Sequence, residues 1–174
     1  GDAKLDQETF LLEPVSSENL HNNRSSRNFW FRVKGKGIYS ATGVSSEQEA
    51  AKFSPEQEKS TLTGGFMWQK TERVSDIMQL VSSITIFIPK DANVEIMQIS
   101  IQNQSDKPQE LTPYAAVPIY GRSADNIRDH RNVTSMLHRI QADTHGICVC
   151  PTMSFDEKGH RLNSRIYYVM GIAS

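Results

Sequence analysis

A chain of 174 residues is long enough for one domain with its own hydrophobic core, without support from metal or disulfides. Its formal net charge of −1 argues against nucleic acid or an anionic membrane as its partner. No apolar run approaches the roughly 20 residues that cross a bilayer, and residues 1–4 lack the pattern of a secretory signal. We therefore expect a cytoplasmic protein.

The N-terminal segment, residues 1–27, is polar and is predicted to be an extension of the main domain, with an edge strand at its apolar run 10–12. Aromatic and β-branched residues at 29–33 and 38–42 flank a glycine-containing stretch. This pattern predicts two strands joined by a turn. Residues 45–60 are predicted to be a solvated excursion with one helical turn. We predict that its four glutamates lie on the solvent-exposed surface: Glu47, Glu49, Glu56 and Glu58.

The clearest strand signal is the alternation of Ile84, Ile86 and Ile88 with other residues. Residues 94–101 have a mixed phase, which predicts either a bulge in the middle of the strand or burial on both faces. Two prolines within 111–120 predict that this strand lies at a sheet edge or bends.

Towards the C-terminus, strands are predicted within 133–140, 147–149 and 164–172, with a loop at 155–160. Short strands thus recur along the chain with turn signals between them, and no long helical period is present. This organisation is typical of an all-β protein, and we predict an antiparallel β-sandwich over residues 28–174.

The segment 121–132 is polar and rich in Arg and Asp. Guanidinium groups in such a loop could bind an anion, a sugar hydroxyl or a partner chain. Alternatively, the acidic residues pair with the arginines, so that the polar groups of the loop bind one another and no external partner. The candidate residues for contact with a substrate or another domain are Arg122, Asp125, Asn126, Arg128, Asp129, His130 and Arg131.

Four aromatic residues near strand ends could stack on sugar rings, although large aromatic residues of a sandwich more often belong to a core or an interdomain seam. They are Trp30, Tyr39, Phe66 and Trp68. Trp68 is the best candidate for a seam, because Gly64 and Gly65 permit a close approach of another backbone.

Cys148 and Cys150 are two residues apart, so on a strand they share a face and a disulfide between them would be strained. A zinc-type site would need two further ligands, and His145 is the one candidate nearby. We therefore expect free, buried thiols and no metal site. The sequence also shows no nucleophile–base pair and no paired carboxylates of the glycosidase kind, so we predict no catalytic residue.

The stretches 37–43, 65–68 and 83–89 resemble the N-terminal β-sandwich of glycoside hydrolase family 94, formerly grouped as glycosyltransferase family 36. The segments 118–131 and 154–160 are most similar to its 1,2-β-oligoglucan phosphorylase branch. The resemblance implies a supersandwich fold of the galactose-mutarotase-like type. It also implies that the chain is one domain of a larger enzyme.

The family resemblance implies that the parent enzyme cleaves β-glucosidic bonds with inorganic phosphate as co-substrate, inverts the anomeric centre and releases a sugar 1-phosphate without metal or another cofactor. The general acid of such enzymes is an aspartic acid in an (α/α)6 barrel. The expected partners are therefore the catalytic helical barrel of the same polypeptide, a β-glucan oligosaccharide and a second copy in a homodimer. The domain itself would be non-catalytic and would help to shape the active-site mouth.

Two other functions compete with this prediction. The first is a carbohydrate-binding module that holds glucan chains through Trp30, Trp68 or Tyr39. The second is an independent mutarotase-like enzyme that uses His130 or His138 together with a carboxylate.

Overall fold

The computed structural model describes residues 11–12, 27–121, 136–156 and 159–173. These residues form antiparallel strands and one short helix, which confirms the all-β prediction. In chain order the elements are β1 (Asn28–Val33), β2 (Gly37–Ser40), α1 (Ser46–Ala50), β3 (Lys59–Gly65), β4 (Trp68–Ser75), β5 (Leu80–Phe87), β6 (Ile96–Asn103), β7 (Leu111–Ala116), β8 (His138–Ala142), β9 (Gly146–Pro151), β10 (Met153–Asp156), β11 (Gly159–Leu162) and β12 (Tyr167–Met170). Within these ranges, no helix has the length and apolar character needed to cross a membrane.

The chain divides into two compact units. Asn28–Ala116 forms the first, and Gly1–Arg27 together with Val117–Ser174 forms the second. The unit boundary after Arg27 coincides with the predicted end of the N-terminal extension. The predicted sandwich of residues 28–174 therefore includes parts of both units.

The first unit contains two sheets, with strand orders β2-β1-β7 and β3-β4-β5-β6. Gly35 lies between β1 and β2 and Gly37 begins β2, at φ values of 77° and 116°, a region that favours glycine. This confirms the predicted hairpin. Pro113 lies opposite Phe31 on β7, which is an edge strand of its sheet. Pro113 therefore acts as predicted, since an edge strand can spare a backbone donor, while Pro118 lies beyond the end of β7.

The core of the first unit lies between these two sheets. Alternate residues of β5 point inward, so Leu80, Ser82 and Ile84 are buried. The buried apolar cluster consists of Phe31, Val33, Tyr39, Ala41, Leu80 and Ile84. The side chains of Met97, Ile99 and Ile101 pack against it.

The prediction for residues 94–101 is wrong. Strand β6 pairs with β5 without interruption from Ile96 to Asn103, and its burial alternates regularly. One face, with Met97 and Ile99, packs on the core, while Gln98 faces away from it. The phase looks mixed because Ile96 is apolar, although it belongs to the residues of β6 that face away from the core.

The excursion 45–58 contains the predicted helical turn, α1, whose N-cap Ser45 accepts a hydrogen bond from the Gln48 backbone amide. The prediction that Glu58 lies on the solvent-exposed surface is wrong. Its carboxylate pairs with Arg73 of β4 at 3.1 Å, and the two side chains are only 16% and 13% exposed, respectively. Gln48 Nε2 also donates to Glu58 at 2.7 Å. This polar cluster ties the excursion to the four-stranded sheet.

The second unit contains a sheet of order β12-β9-β8 and the hairpin β10-β11. The prediction of a loop at 155–160 is wrong for the residues described there, because β10 and β11 pair in an antiparallel hairpin. At the N-terminal side, Leu11 and Leu12 form a bend, and the Tyr120 backbone amide donates to the Leu11 carbonyl at 2.8 Å. The rest of the predicted N-terminal edge strand lies outside the described residues.

Candidate functional site

The hairpin between β3 and β4 carries large apolar side chains at its tip. Phe66 and Met67 form the two-residue connection, and Phe66 is 91% exposed. Met67, the second residue of this connection, has a φ of 62°, in the left-handed region that a non-glycine residue seldom adopts. Exposing large apolar side chains to water at a hairpin tip costs free energy. Their exposure therefore points to a role other than packing within this domain.

Trp68 begins β4 directly opposite Gly65, and its indole lies across that glycine. A Cβ atom added to Gly65 would lie 2.3 Å from the indole Nε1, so any side chain there would displace the indole. At Gly64 the nearest atom to such a Cβ is 3.8 Å away. The sequence therefore uses Gly65 to hold the indole against the sheet, where it is 40% exposed.

The strand register extends this apolar surface across the sheet. Trp68 lies opposite Phe87 of β5, and Phe87 lies opposite Ile96 of β6. Because residues directly opposite share a face, Gly65, Trp68, Phe87 and Ile96 form one row on the side away from the core. We name the apolar side chains at this end of the sheet the apolar patch: Phe66, Met67, Trp68, Phe87, Ile88 and Ile96.

The two rows next to the apolar patch are polar. The next row contains Lys70, whose ammonium forms an ion pair of 2.9 Å with Glu72 of the same strand. Thr85 and Gln98 lie in the same row as Lys70. An apolar centre beside a polar border is the usual arrangement of a protein–protein interface.

The inward face of the sheet is fixed by buried polar contacts. The hydroxyl groups of Tyr39 and Ser82 are 2.7 Å apart, and burial raises the pKa of Tyr39. The Arg73 guanidinium lies against Gly43, where an added Cβ would be 2.4 Å from it. The strands that carry the apolar patch are therefore held in one arrangement.

The three-stranded sheet of the second unit holds a different set of groups. The Tyr168 hydroxyl donates to both carboxylate oxygens of Asp143, at 2.8 and 2.9 Å. Backbone amides of His145 and Gly146 also donate to this carboxylate, and together these bonds lower the pKa of Asp143. Beside this pair, the Sγ atoms of Cys148 and Cys150 are 3.6 Å apart.

Trp68 is the predicted contact residue that the structure describes, and it lies at the exposed end of a sheet. The other predicted contact residues lie outside the described residues: Arg122, Asp125, Asn126, Arg128, Asp129, His130 and Arg131. The entry to their segment is described. Gly121 has a φ of 65°, and Asn163 Nδ2 donates to its carbonyl at 3.0 Å.

The other aromatic candidates differ from one another. Tyr39 is 2% exposed and belongs to the core, so it offers no face to a sugar. The Trp30 indole is partly buried and donates to the Val44 carbonyl at 3.2 Å. Phe66 was expected in a core or a seam, and its 91% exposure excludes the core. His138 begins β8 opposite Pro151.

Sequence reasoning missed Phe87 and Ile96 as parts of the candidate site. Both belong to strands with regular alternation, and either could have been assigned to a core. The signal available in the sequence was the out-of-phase Ile96, because an isoleucine among outward-facing polar residues points to a covered surface.

A family model described as "Glycosyl hydrolase 94, supersandwich domain" matches residues 19–171. The match spans both units and most of the chain. No curated protein gives a significant match to the chain. Together with the antiparallel all-β architecture, the family match confirms the resemblance drawn from the sequence at the level of the family. The chain belongs to glycoside hydrolase family 94, as its supersandwich domain.

Proposed function

We propose that this chain is a non-catalytic domain of a cytoplasmic glycoside phosphorylase of the 1,2-β-oligoglucan branch, and that its apolar patch packs on the catalytic (α/α)6 barrel. The family match supports the phosphorylase assignment at its coarser level. The apolar row from Trp68 to Ile96, whose two end members are exposed and whose middle member Phe87 is partly buried, carries the proposal of a docking surface.

The chemistry of the parent enzyme follows from the family. Inorganic phosphate attacks the anomeric carbon of a β-glucan, the glucosidic bond breaks with inversion, and an aspartic acid of the barrel protonates the leaving oxygen. The domain contributes by position: it borders the active-site mouth and takes part in a homodimer. The segment 121–132, with Arg128 and His130 among its candidates, is proposed to contact the glucan or the barrel.

The apolar patch has the composition expected for contact with a helical barrel. Phe66 and Trp68 are large aromatic residues, and aromatic side chains are enriched in the centres of interfaces. Interfaces between domains of one chain commonly bury about 600–1,500 Å². A row across three strands, extended by a hairpin tip, can supply the centre of such an interface. The Lys70–Glu72 pair would then lie at its border.

A charge substitution in the full-length enzyme tests the docking surface. Phe66→Asp should lower both the midpoint of thermal unfolding and the rate of phosphorolysis, because a carboxylate would be buried against apolar groups. Leu62→Asp is the matched control, since Leu62 lies on the same hairpin, outside the apolar patch, and is 71% exposed. It should leave both measurements close to those of the unmodified enzyme.

Hydrogen exchange gives an independent measurement. The amides of residues 66–68 should exchange more slowly in the full-length enzyme than in this chain alone. Equal exchange in the two proteins, together with equal effects of Phe66→Asp and Leu62→Asp, would show that the apolar patch is not a docking surface.

The non-catalytic role has its own test. This chain alone, incubated with β-1,2-glucan and inorganic phosphate, should release no glucose 1-phosphate. Measurable turnover would contradict the proposal.

A second candidate function, glucan binding, is favoured by the indole of Trp68, which lies against Gly65 and is 40% exposed. Calorimetry with β-1,2-glucan oligosaccharides separates the two. Millimolar or tighter binding that is lost in Trp68→Ala would favour a carbohydrate-binding module over a docking surface.

A further inference from the structure

The sheet β2-β1-β7 of the first unit has an outer face that the core does not use. Phe31 of β1 points into the core, so the residues on either side of it in the strand point the other way. The register places Trp30 of β1 directly opposite Tyr114 of β7. It likewise places Arg32 directly opposite Thr112. These two pairs therefore form successive rows on the outer face, about 6.7 Å apart along the strands.

Trp30 is held in place by the loop that follows β2. Its indole Nε1 donates to the Val44 carbonyl at 3.2 Å, and Asn28 Nδ2 donates to the same carbonyl at 2.9 Å. The Val44 backbone amide in turn donates to the Ser40 hydroxyl at 3.0 Å. Asn28 and Ser40 are both buried. The indole therefore has a fixed position before any ligand arrives, which lowers the entropic cost of binding.

The neighbours of Trp30 on the outer face are open to solvent. Tyr114 is 50% exposed, and Arg32 is exposed as well. Neither side chain forms an ion pair or a hydrogen bond with a residue in the described ranges. A phenol ring and a guanidinium group are thus available to a ligand beside a fixed indole.

A shallow cavity of about 170 Å³ lies on the same face, next to the row of Trp30 and Tyr114. Its lining consists of Arg32, Lys34, Glu110 and Thr112. The Lys34 ammonium and the Glu110 carboxylate form an ion pair of 2.6 Å. The cavity therefore offers hydrogen-bond donors from two cations, acceptors from a carboxylate, and a hydroxyl group that can do both.

This combination of groups favours a neutral ligand rich in hydroxyl groups. A hydroxyl both donates and accepts, so a sugar can bond to Arg32 and Glu110 at the same time. A phosphate or another polyanion would meet the Glu110 carboxylate, which repels it. Sugar rings also carry apolar C–H faces, and these pack on aromatic rings such as those of Trp30 and Tyr114.

We propose that the outer face of the β2-β1-β7 sheet, around Trp30, Tyr114 and Arg32, binds a neutral oligosaccharide. Sites that enclose a whole drug-sized ligand measure about 300–1,000 Å³. One sugar ring would therefore enter the smaller cavity here, and its neighbour would lie on the aromatic pair. The choice of a β-1,2-glucan as the sugar rests on the proposed function, whereas the site itself rests on the geometry of this sheet.

Fluorescence titration of this chain with β-1,2-glucan oligosaccharides tests the site. The chain has two tryptophans, so in Trp68→Phe the emission reports on Trp30 alone. We expect a saturable change in this emission at millimolar sugar. Tyr114→Ala and Arg32→Ala, each added to Trp68→Phe, should weaken binding roughly 10-fold, through loss of the stacking ring and of charge-assisted hydrogen bonds. Far-ultraviolet circular dichroism confirms that each variant folds.

Two matched controls accompany these variants. Tyr114→Phe keeps the ring and should bind nearly as well as the parent protein. Arg139→Ala removes an exposed arginine from a strand of the other unit and should leave binding unchanged. An emission that does not respond to sugar would overturn the site, as would undiminished affinity in Tyr114→Ala or Arg32→Ala. Tighter binding of glucose 1-phosphate or of a single-stranded oligonucleotide would overturn the assignment to a neutral sugar.

The same titrations separate this site from the proposed function. A response to cello-oligosaccharides in place of β-1,2-glucan would support the site and contradict the branch assigned to the parent enzyme. Glucan binding that disappears in Trp68→Ala, with no response of Trp30, would place the sugar on the apolar patch and overturn the site proposed here. The docking surface is tested independently by Phe66→Asp, because the apolar patch belongs to the four-stranded sheet.

Discussion

The two units differ in how they bury apolar side chains. In Asn28–Ala116, one contiguous cluster joins β1, β2 and β5, with Leu80 and Ala41 completely buried. In the described part of the other unit, the buried apolar side chains do not join that cluster: Leu12, Tyr120, Val149 and Tyr167. Its sheet instead places a carboxylate–phenol pair and two thiols at or near the surface. The comparison teaches that the first unit holds its strands by a core, whereas the described strands of the second present polar contacts near the surface.

The largest effect should come from the core of the first unit. Leu80→Ala removes a side chain with 0% exposure and should lower the free energy of unfolding by about 2–5 kcal/mol, through lost burial and a cavity. Chemical denaturation measures this change. The control Ile77→Ala, at a side chain 79% exposed, should leave the unfolding free energy nearly unchanged. Similar losses in the two variants would show that the cluster around Leu80 is not the stabilising core.

A smaller effect should follow from the buried pair of hydroxyl groups. Tyr39→Phe leaves the Ser82 hydroxyl buried without its partner, which should cost about 1–3 kcal/mol of unfolding free energy. Adding Ser82→Ala should recover part of that loss, since no polar group then remains unpaired. Purely additive losses in this double-mutant cycle would contradict the hydrogen bond.

The indole of Trp68 allows a sharper local comparison. Gly65→Ala should displace the indole, because the new methyl group would overlap it, and should change the near-ultraviolet circular dichroism while costing no more than about 1 kcal/mol. Gly64→Ala, with its nearest neighbour at 3.8 Å, is the matched control and should preserve the spectrum. If both substitutions gave the same spectrum, Trp68 would not rest on Gly65.

The smallest effect concerns pH and the second unit. The bonds to Asp143 lower its pKa in the folded state, so their contribution to stability is present above the unfolded pKa of about 3.9 and is lost as pH falls through the lower folded value. Tyr168→Phe should move the pKa of Asp143 part of the way back, because the backbone amides of His145 and Gly146 still donate. Carbon-detected NMR titration of Asp143 measures the shift. An unchanged pKa would show that the Tyr168 hydroxyl does not hold the carboxylate.

The sequence alone predicted the strands that are marked by residues close together in the chain. The isoleucines of β5 and the glycines between β1 and β2 needed no knowledge of partners, and both predictions are confirmed. Strand β6 was misjudged because its mixed phase was interpreted as a bulge or as burial on both faces, whereas Ile96 faces outward opposite Phe87 of the apolar patch. Hydrophobicity shows that a side chain prefers to be covered, and it does not show by what.

The candidate site and the pair of thiols depended on information beyond the local pattern. Strand periodicity placed Cys148 and Cys150 on one face, but the separation of 3.6 Å depends on side-chain rotamers. The row from Trp68 to Ile96 depends on the register of three strands, which long-range pairing decides. Trp68 was identified from Gly64 and Gly65 alone, because a pair of glycines beside a tryptophan is a local signal of close approach.

The edge strands of the first unit have a consequence for self-association. Pro113 removes one backbone donor from β7, so that edge is a poor template for an added strand. The opposite case is β3, which runs from Lys59 to Gly65 as an edge of its sheet, is exposed along its whole length and contains no proline. Growth of sheets between copies of the chain would therefore be favoured at β3 over β7. A proline introduced there, at a residue whose amide points away from β4, would make the protein resist aggregation without disturbing its core.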